Sequence, residues 1–128
     1  MKPKTYNLKL TLAILVAMLF GTANMQAATY DLWICGVQVT DANKGNLTVI
    51  NGTNGCTVTG TVTYNSNSKT LSLNNANIYL SDGANTIKSQ IDGLTVNVQG
   101  TNSVGSSGWA TVRFEKSATI EGGEARST

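Results

Sequence analysis

An all-β fold, built as a short parallel β-helix of about three coils behind an N-terminal β-hairpin cap, is predicted by three features of this sequence. Apolar and polar residues alternate over short runs, as in Leu94-Thr95-Val96-Asn97-Val98, the period of a half-buried strand. Related runs recur at LSLNNANI and TVRFEKSATI, separated by Gly- and Asn-rich turn signals. No stretch beyond residue 27 carries the i, i+3, i+4 pattern of an amphipathic helix. An antiparallel β-sandwich with Asn-rich turns is the alternative fold.

The first element is read from TYDLWICGVQVTDAN. Tyr30, Leu32 and Ile34 alternate with Asp31 and Trp33, and Val37 and Val39 flank Gln38. The two residues between these runs, Cys35-Gly36, suit a tight hairpin. A loop at 41–45 follows, then LTVIN, broken by the turn dipeptides Asn51-Gly52 and Asn54-Gly55. TVTGTVTY and TLSLNN are joined by Asn65-Ser66-Asn67-Ser68-Lys69, which reads as a second hairpin or a strand corner.

From residue 71 onward the runs read as stacked rungs. Setting Leu71-x-Leu73 on Leu94-x-Val96 gives a period of 23, and setting Leu94-x-Val96 on Val112-x-Phe114 gives 18. That alignment makes Leu73, Val96 and Phe114 equivalent inward positions. Asparagine is normally depleted in strands, because its amide competes for backbone hydrogen bonds. In a stacked array it can serve at corners and in ladders, bonding to the layers above and below.

The first 27 residues are read as a secretory signal peptide. Lys2, Lys4 and Lys9 give a basic start, eleven residues from Leu10 to Phe20 are mostly apolar, and small residues lead to Ala27 and Ala28. The apolar run is well short of the roughly 20 residues that span a bilayer. A secreted, periplasmic or cell-surface location is expected, with no membrane span after cleavage. Residues 28–128 then form one small domain. Without the three leader lysines, six basic residues face seven acidic ones. The apparent basicity thus belongs to the leader, and nothing argues for nucleic acid.

Export permits a disulfide between Cys35 and Cys56; the alternative is two unrelated small residues in the interior or in turns. The chain has no histidine, which removes the usual zinc sites. Lys88, Asp92 and Arg113 are the residues a polysaccharide lyase could use, but each also fits a solvated rim or a turn. Glu121 and Glu124 lie in a Gly-rich terminal segment unsuited to holding a glycosidase pair. The expectation is a protein that is not an enzyme. Asp82 and Asp92, each before glycine, are the candidate metal ligands should calcium bind. Tyr79 and Trp109 are the candidate sugar-binding platforms, with Tyr30 and Trp33 assigned to the N-terminal cap.

Three stretches, YDLWICGVQVTDAN, GTVTYNSNSKTLSLNNANI and IKSQIDGLTVNVQGTNSV, together resemble a family of carbohydrate-binding domains. Its members are secreted bacterial proteins of gut Bacteroidetes and plant-wall-degrading anaerobes. The resemblance runs from Tyr30 to about Gly123. It implies a right-handed β-helix, an acidic polysaccharide of the pectin type as partner, and calcium as the associated ion. One departure is that family members continue for further coils, whereas EGGEARST ends this sequence. The expected result is a truncated β-helix domain whose uncapped last coil self-associates. A structural or adhesive solenoid segment is the alternative function, and a polysaccharide lyase fragment the third.

Overall fold

The computed structural model describes residues 28–127; the leader read over residues 1–27 lies outside them. Eight strands and one short 3-10 helix make up the described residues, so the chain is all-β. Strands β1 (Thr29–Ile34) and β2 (Val37–Thr40) form the expected antiparallel hairpin. Cys35 and Gly36 take φ of 52° and 79°, the left-handed pair that a two-residue hairpin of this twist requires.

The chain then departs from strand structure within LTVIN. Leu47–Ile50 is a 3-10 helix, with Asn46 as its cap accepting from the Thr48 amide at 3.2 Å. A 3-10 turn places residues three apart on one side, which buries Leu47 and Ile50 together. The Asn46 side chain thus competes successfully for the backbone groups that a strand would have used.

β3 (Cys56–Asn65) and β4 (Thr70–Leu80) form the second hairpin. Its turn is held by Asn65 Oδ1, which accepts from the amides of Asn67 and Ser68 at 2.9 and 3.2 Å, the Asx-turn arrangement. β5 (Ile87–Ser89), β6 (Leu94–Ser106), β7 (Val112–Phe114) and β8 (Ala118–Ser127) complete the chain.

The strands form two mixed, four-stranded sheets, A in the order β2-β1-β5-β7 and B in the order β3-β4-β6-β8. Pairing is parallel for β4–β6, β6–β8 and β5–β7, and antiparallel for the remaining neighbours. One apolar core joins the two sheets, uniting Leu32, Ile34 and Ile87 of sheet A with Val58, Leu71, Ile78 and Val104 of sheet B.

The register corrects the alignment expected from sequence. Leu71 pairs with Val96 and Val96 with Ile120, steps of 25 and 24 residues. Leu73 pairs with Val98, while Phe114 pairs with Ser89 in the other sheet. Leu73 and Val96 are both buried, but they are not equivalents. A slip of two residues keeps every side chain on its face, so alternation cannot reveal it. The 18-residue step equated strands of two different sheets.

Strands β3, β4, β6 and β8 each pass through a left-handed residue: Gly60, Asn75, Gly100 and Gly122, with φ of 84°, 49°, 73° and 106°. Register shifts mark the same places in all three pairings, and bulges of this kind bend a strand. In β4 the buried positions switch from Leu71 and Leu73 to Ala76, Ile78 and Leu80 across this point, so both arms face the core. At Gly60 a Cβ would lie 2.2 Å from the Asn75 carbonyl oxygen and 2.8 Å from the Ala76 Cα, and only glycine fits.

The asparagines serve this bend. Asn75 Oδ1 accepts from the Thr101 amide of the next strand at 3.0 Å. Asn102 is buried, its Oδ1 accepting from the Ala76 amide at 2.8 Å and its Nδ2 donating to the Gln99 carbonyl at 3.0 Å. Buried amides of this kind satisfy backbone groups that the bend removes from the strand ladder.

Candidate functional site on the outer face of sheet A

Alternation fixes which side chains leave the core on sheet A. Leu32 and Ile34 point inward from β1, leaving Trp33 on the outside, and Ile87 and Ser89 do the same for Lys88 on β5. The register then sets four outward residues in one row across the sheet. Gln38 pairs with Trp33, Trp33 with Lys88, and Lys88 with Arg113. Neighbouring strands lie about 4.7–4.9 Å apart, so an amide, an aromatic ring and two cations follow one another at a regular spacing.

Contacts within the row hold it in shape. The Lys88 ammonium lies 5.2 Å from the centre of the Trp33 ring, within the range of a cation–π contact. Glu115 stands beside both cations, with Oε2 3.3 Å from Arg113 Nε and 3.9 Å from Lys88 Nζ. Its other oxygen accepts from Gln90 Nε2 at 2.9 Å. Arg113 remains more than half exposed, at 58%.

Beside the row is a cleft of about 350 Å³ lined by Trp33, Gly36, Leu80, Asn85 and Lys88. Asn85 Oδ1 is buried there without a hydrogen-bond partner. The cleft combines apolar surface with a cation and an amide, the mixture that sugar rings and their substituents require.

A second cleft, of about 420 Å³, lies at the β3–β4 turn between Lys44, Tyr64, Asn65 and Ser66. Its polar groups are already engaged with one another. Lys44 Nζ is 2.9 Å from Asp41 Oδ1 and 3.3 Å from Ser66 Oγ, and the Tyr30 hydroxyl donates to Asp41. The hydroxyl of Tyr30, the ammonium of Lys44 and the amide of Ala28 lower the Asp41 carboxyl to a pKa of about 2. Asp41 in turn raises Lys44, and burial pushes the Tyr64 hydroxyl up. The rings of Tyr30 and Tyr64 meet in a tilted contact, with centroids 5.4 Å apart. This cluster fastens the first hairpin to the second.

The site residues expected from sequence are dispersed. Tyr79 is 38% exposed on the outer face of sheet B, between Thr57 and Gly105. Trp109 is 90% exposed in the loop after β6. Asp82 lies in the β4–β5 loop and Asp92 in the β5–β6 turn, one at each end of β5, both exposed. Asp92 Oδ1 accepts from Ser117 Oγ at 2.8 Å, and its carbonyl accepts from Lys69 Nζ at 3.2 Å, so it acts as a turn residue. Among the described residues no three His, Cys, Asp or Glu side chains gather in a way that could hold a metal. Cys35 and Cys56 form a disulfide, with Cα atoms 5.8 Å apart. Lys88 and Arg113, named from sequence with Asp92, are direct neighbours on adjacent strands. Trp33 stands beside Lys88 on the outer face of the sheet.

Among the described residues, no helix is long and apolar enough to cross a membrane. No protein-family profile, curated protein or solved structure matches this chain.

Proposed function

We propose that this chain is an exported, non-catalytic domain that binds acidic carbohydrate through the outer face of sheet A. The observation that carries the reading is the row Gln38–Trp33–Lys88–Arg113. Carboxylate groups along a polymer meet two cations that share the single carboxylate of Glu115 and so keep a net positive charge; one is an arginine, a side chain able to engage a carboxylate through two parallel bonds. The Trp33 ring supplies apolar contact for the C–H face of a sugar. Binding of this kind needs no acid, base or nucleophile.

The scaffold is read as a short right-handed parallel β-helix. Support comes from the parallel pairing of β4, β6 and β8 at steps of 25 and 24 residues, with β5 and β7 stacked likewise in sheet A. Parallel strands joined by crossovers are right-handed in nearly all sheets. A sandwich of two mixed sheets is the alternative scaffold, and it would carry the same row.

Affinity electrophoresis tests the function. The exported chain is run through native gels containing polygalacturonate, a neutral glucan, or no polymer, with calcium or with a chelator. Retardation by polygalacturonate alone, weakened by salt as exposed charges are screened, is expected. The calcium and chelator lanes report whether the retardation depends on the ion. Equal mobility in all gels would remove the proposal.

A further inference from the structure

The cleft beside Trp33 has fixed walls. Trp33 comes from β1, Gly36 from the hairpin turn, Leu80 from the end of β4, Asn85 from the loop before β5, and Lys88 from β5. Strands β1, β4 and β5 are each paired on both sides. Thr86, which follows Asn85, is fully buried. Its carbonyl accepts from the Cys35 amide at 2.8 Å, its amide donates to the Thr111 carbonyl at 2.8 Å, and its hydroxyl donates to the Gly105 carbonyl at 2.6 Å. The disulfide likewise ties the turn carrying Gly36 to the start of β3. A frame held this way is set before a ligand arrives, which lowers the cost of binding.

One polar group in this frame is unanswered. Asn85 Oδ1 is buried, and among the described residues no donor reaches it. Buried polar atoms are nearly always hydrogen-bonded, so an exception calls for a cause. The last torsion of an asparagine side chain is broad, and an oxygen without a partner can swing toward a donor lying in the cleft. Lys88 supplies the complementary chemistry, a charged group that only donates. Leu80 and Trp33 add apolar surface. A ligand answering all of these carries a carboxylate, a hydroxyl and a C–H face, the chemistry of a uronate sugar. At about 350 Å³ the cleft is at the small end of ligand sites, which run from roughly 300 to 1,000 Å³, a size for individual sugar units.

We propose that Asn85 is a specificity-determining residue of the carbohydrate site, its side-chain oxygen accepting from a free hydroxyl of the uronate unit whose carboxylate meets Lys88. This rests on the acidic-carbohydrate reading and adds which group of the sugar is read. A buried acceptor discriminates steeply against an analogue that lacks the donor, because the acceptor then stays unpaired. A methyl ether at that hydroxyl removes the donor and keeps the carboxylate, so a decorated glycan is rejected although its charge is unchanged. Lys88 and Arg113 alone could not make that distinction, since they read charge.

Calorimetric titration of the exported chain and of Asn85→Leu tests the assignment with two probes. One is a galacturonate trisaccharide; the other is the same trisaccharide with its hydroxyls methylated and its carboxylates free. The parent should bind the methylated probe at least about tenfold more weakly. Asn85→Leu should bind the unmodified probe about tenfold more weakly than the parent does. Its own preference between the probes should shrink to less than about threefold, the coupling expected of a direct contact. Without ligand, Asn85→Leu should melt no lower than the parent, since its oxygen has no protein partner to lose. A lower melt would give Asn85 a structural role and overturn the proposal. Equal binding of both probes by the parent, or an undiminished preference in the variant, would overturn it and leave the acidic-carbohydrate reading standing. A parent that binds neither probe would overturn both.

Discussion

Asn102 of β6 accepts the backbone amide of Ala76 in β4 through its side-chain oxygen at 2.8 Å, while its own amide group reaches the Gln99 carbonyl. One buried side chain thereby closes the bends of two neighbouring strands. Replacing it with leucine removes both hydrogen bonds and leaves the Ala76 amide without its acceptor. The expected loss is about 1–3 kcal/mol, the cost of an orphaned buried donor. Chemical denaturation of Asn102→Leu measures it, and an unchanged midpoint would mean the bends hold without the amide.

The left-handed column predicts unequal costs at two glycines of similar conformation. Gly93 has φ of 82° with open space where a Cβ would sit, whereas Gly60 has φ of 84° and backbone atoms at 2.2 and 2.8 Å. Gly93→Ala should cost about 1–2 kcal/mol, for the left-handed backbone alone. Gly60→Ala adds a clash that moves β4, worth roughly 1–3 kcal/mol more. Thermal melts of the two variants should rank in that order; equal values would mean β4 yields at no cost.

Much of this architecture is legible because its signals are local. The hairpin at Cys35-Gly36 and the turn after Asn65 are announced by loop length and turn chemistry within a few residues. The asparagines also pointed to corners, where Asn75 and Asn102 act. What stayed hidden is set by distant pairing. The true partner of Leu71 is Val96, two residues from the expected one, because alternation repeats every second residue. The row Trp33–Lys88–Arg113 joins segments far apart in sequence. No local pattern around Trp33 shows that its neighbour is Lys88.

The disulfide joins the turn of the first hairpin to the start of β3, 21 residues later. Closing a loop of that length contributes about 3 kcal/mol through the entropy of the unfolded chain. Cys35→Ser with Cys56→Ser should lower the unfolding free energy by roughly that amount, and reductant should then have no further effect. A doubly substituted protein as stable as the parent would show that packing alone fixes the hairpin.

Acid should loosen the fastening of the first hairpin. The Asp41 carboxyl has its pKa lowered from 3.8 to about 2 by its partners. A lowered carboxyl contributes stability that is present above its unfolded value and is lost as pH falls through the folded one. The contribution of Asp41 should therefore be present above about pH 4 and lost as pH falls through about 2. Because the group is exposed, its size is small and is read as a difference. Melting temperatures of the parent and Asp41→Asn should differ at neutral pH and converge near pH 2. A gap that persists at the acid end would place the effect elsewhere than in this carboxylate.

The acidic-glycan reading is tested most directly by titration calorimetry of the exported chain with a galacturonate oligomer, alongside Lys88→Ala, Arg113→Ala and Trp33→Ala. All three side chains leave the core on the outer face of sheet A, Arg113 exposed and Trp33 and Lys88 half-buried, and circular dichroism of each variant is expected to match the parent. The account predicts that each charge removal weakens binding about tenfold, near 1.4 kcal/mol, and reduces its salt dependence. Trp33→Ala should weaken binding without changing that salt dependence, since the ring contributes contact and no charge. Binding of the parent that all three variants retain in full would contradict the assignment of this face, and no heat with any acidic oligomer would contradict the function itself.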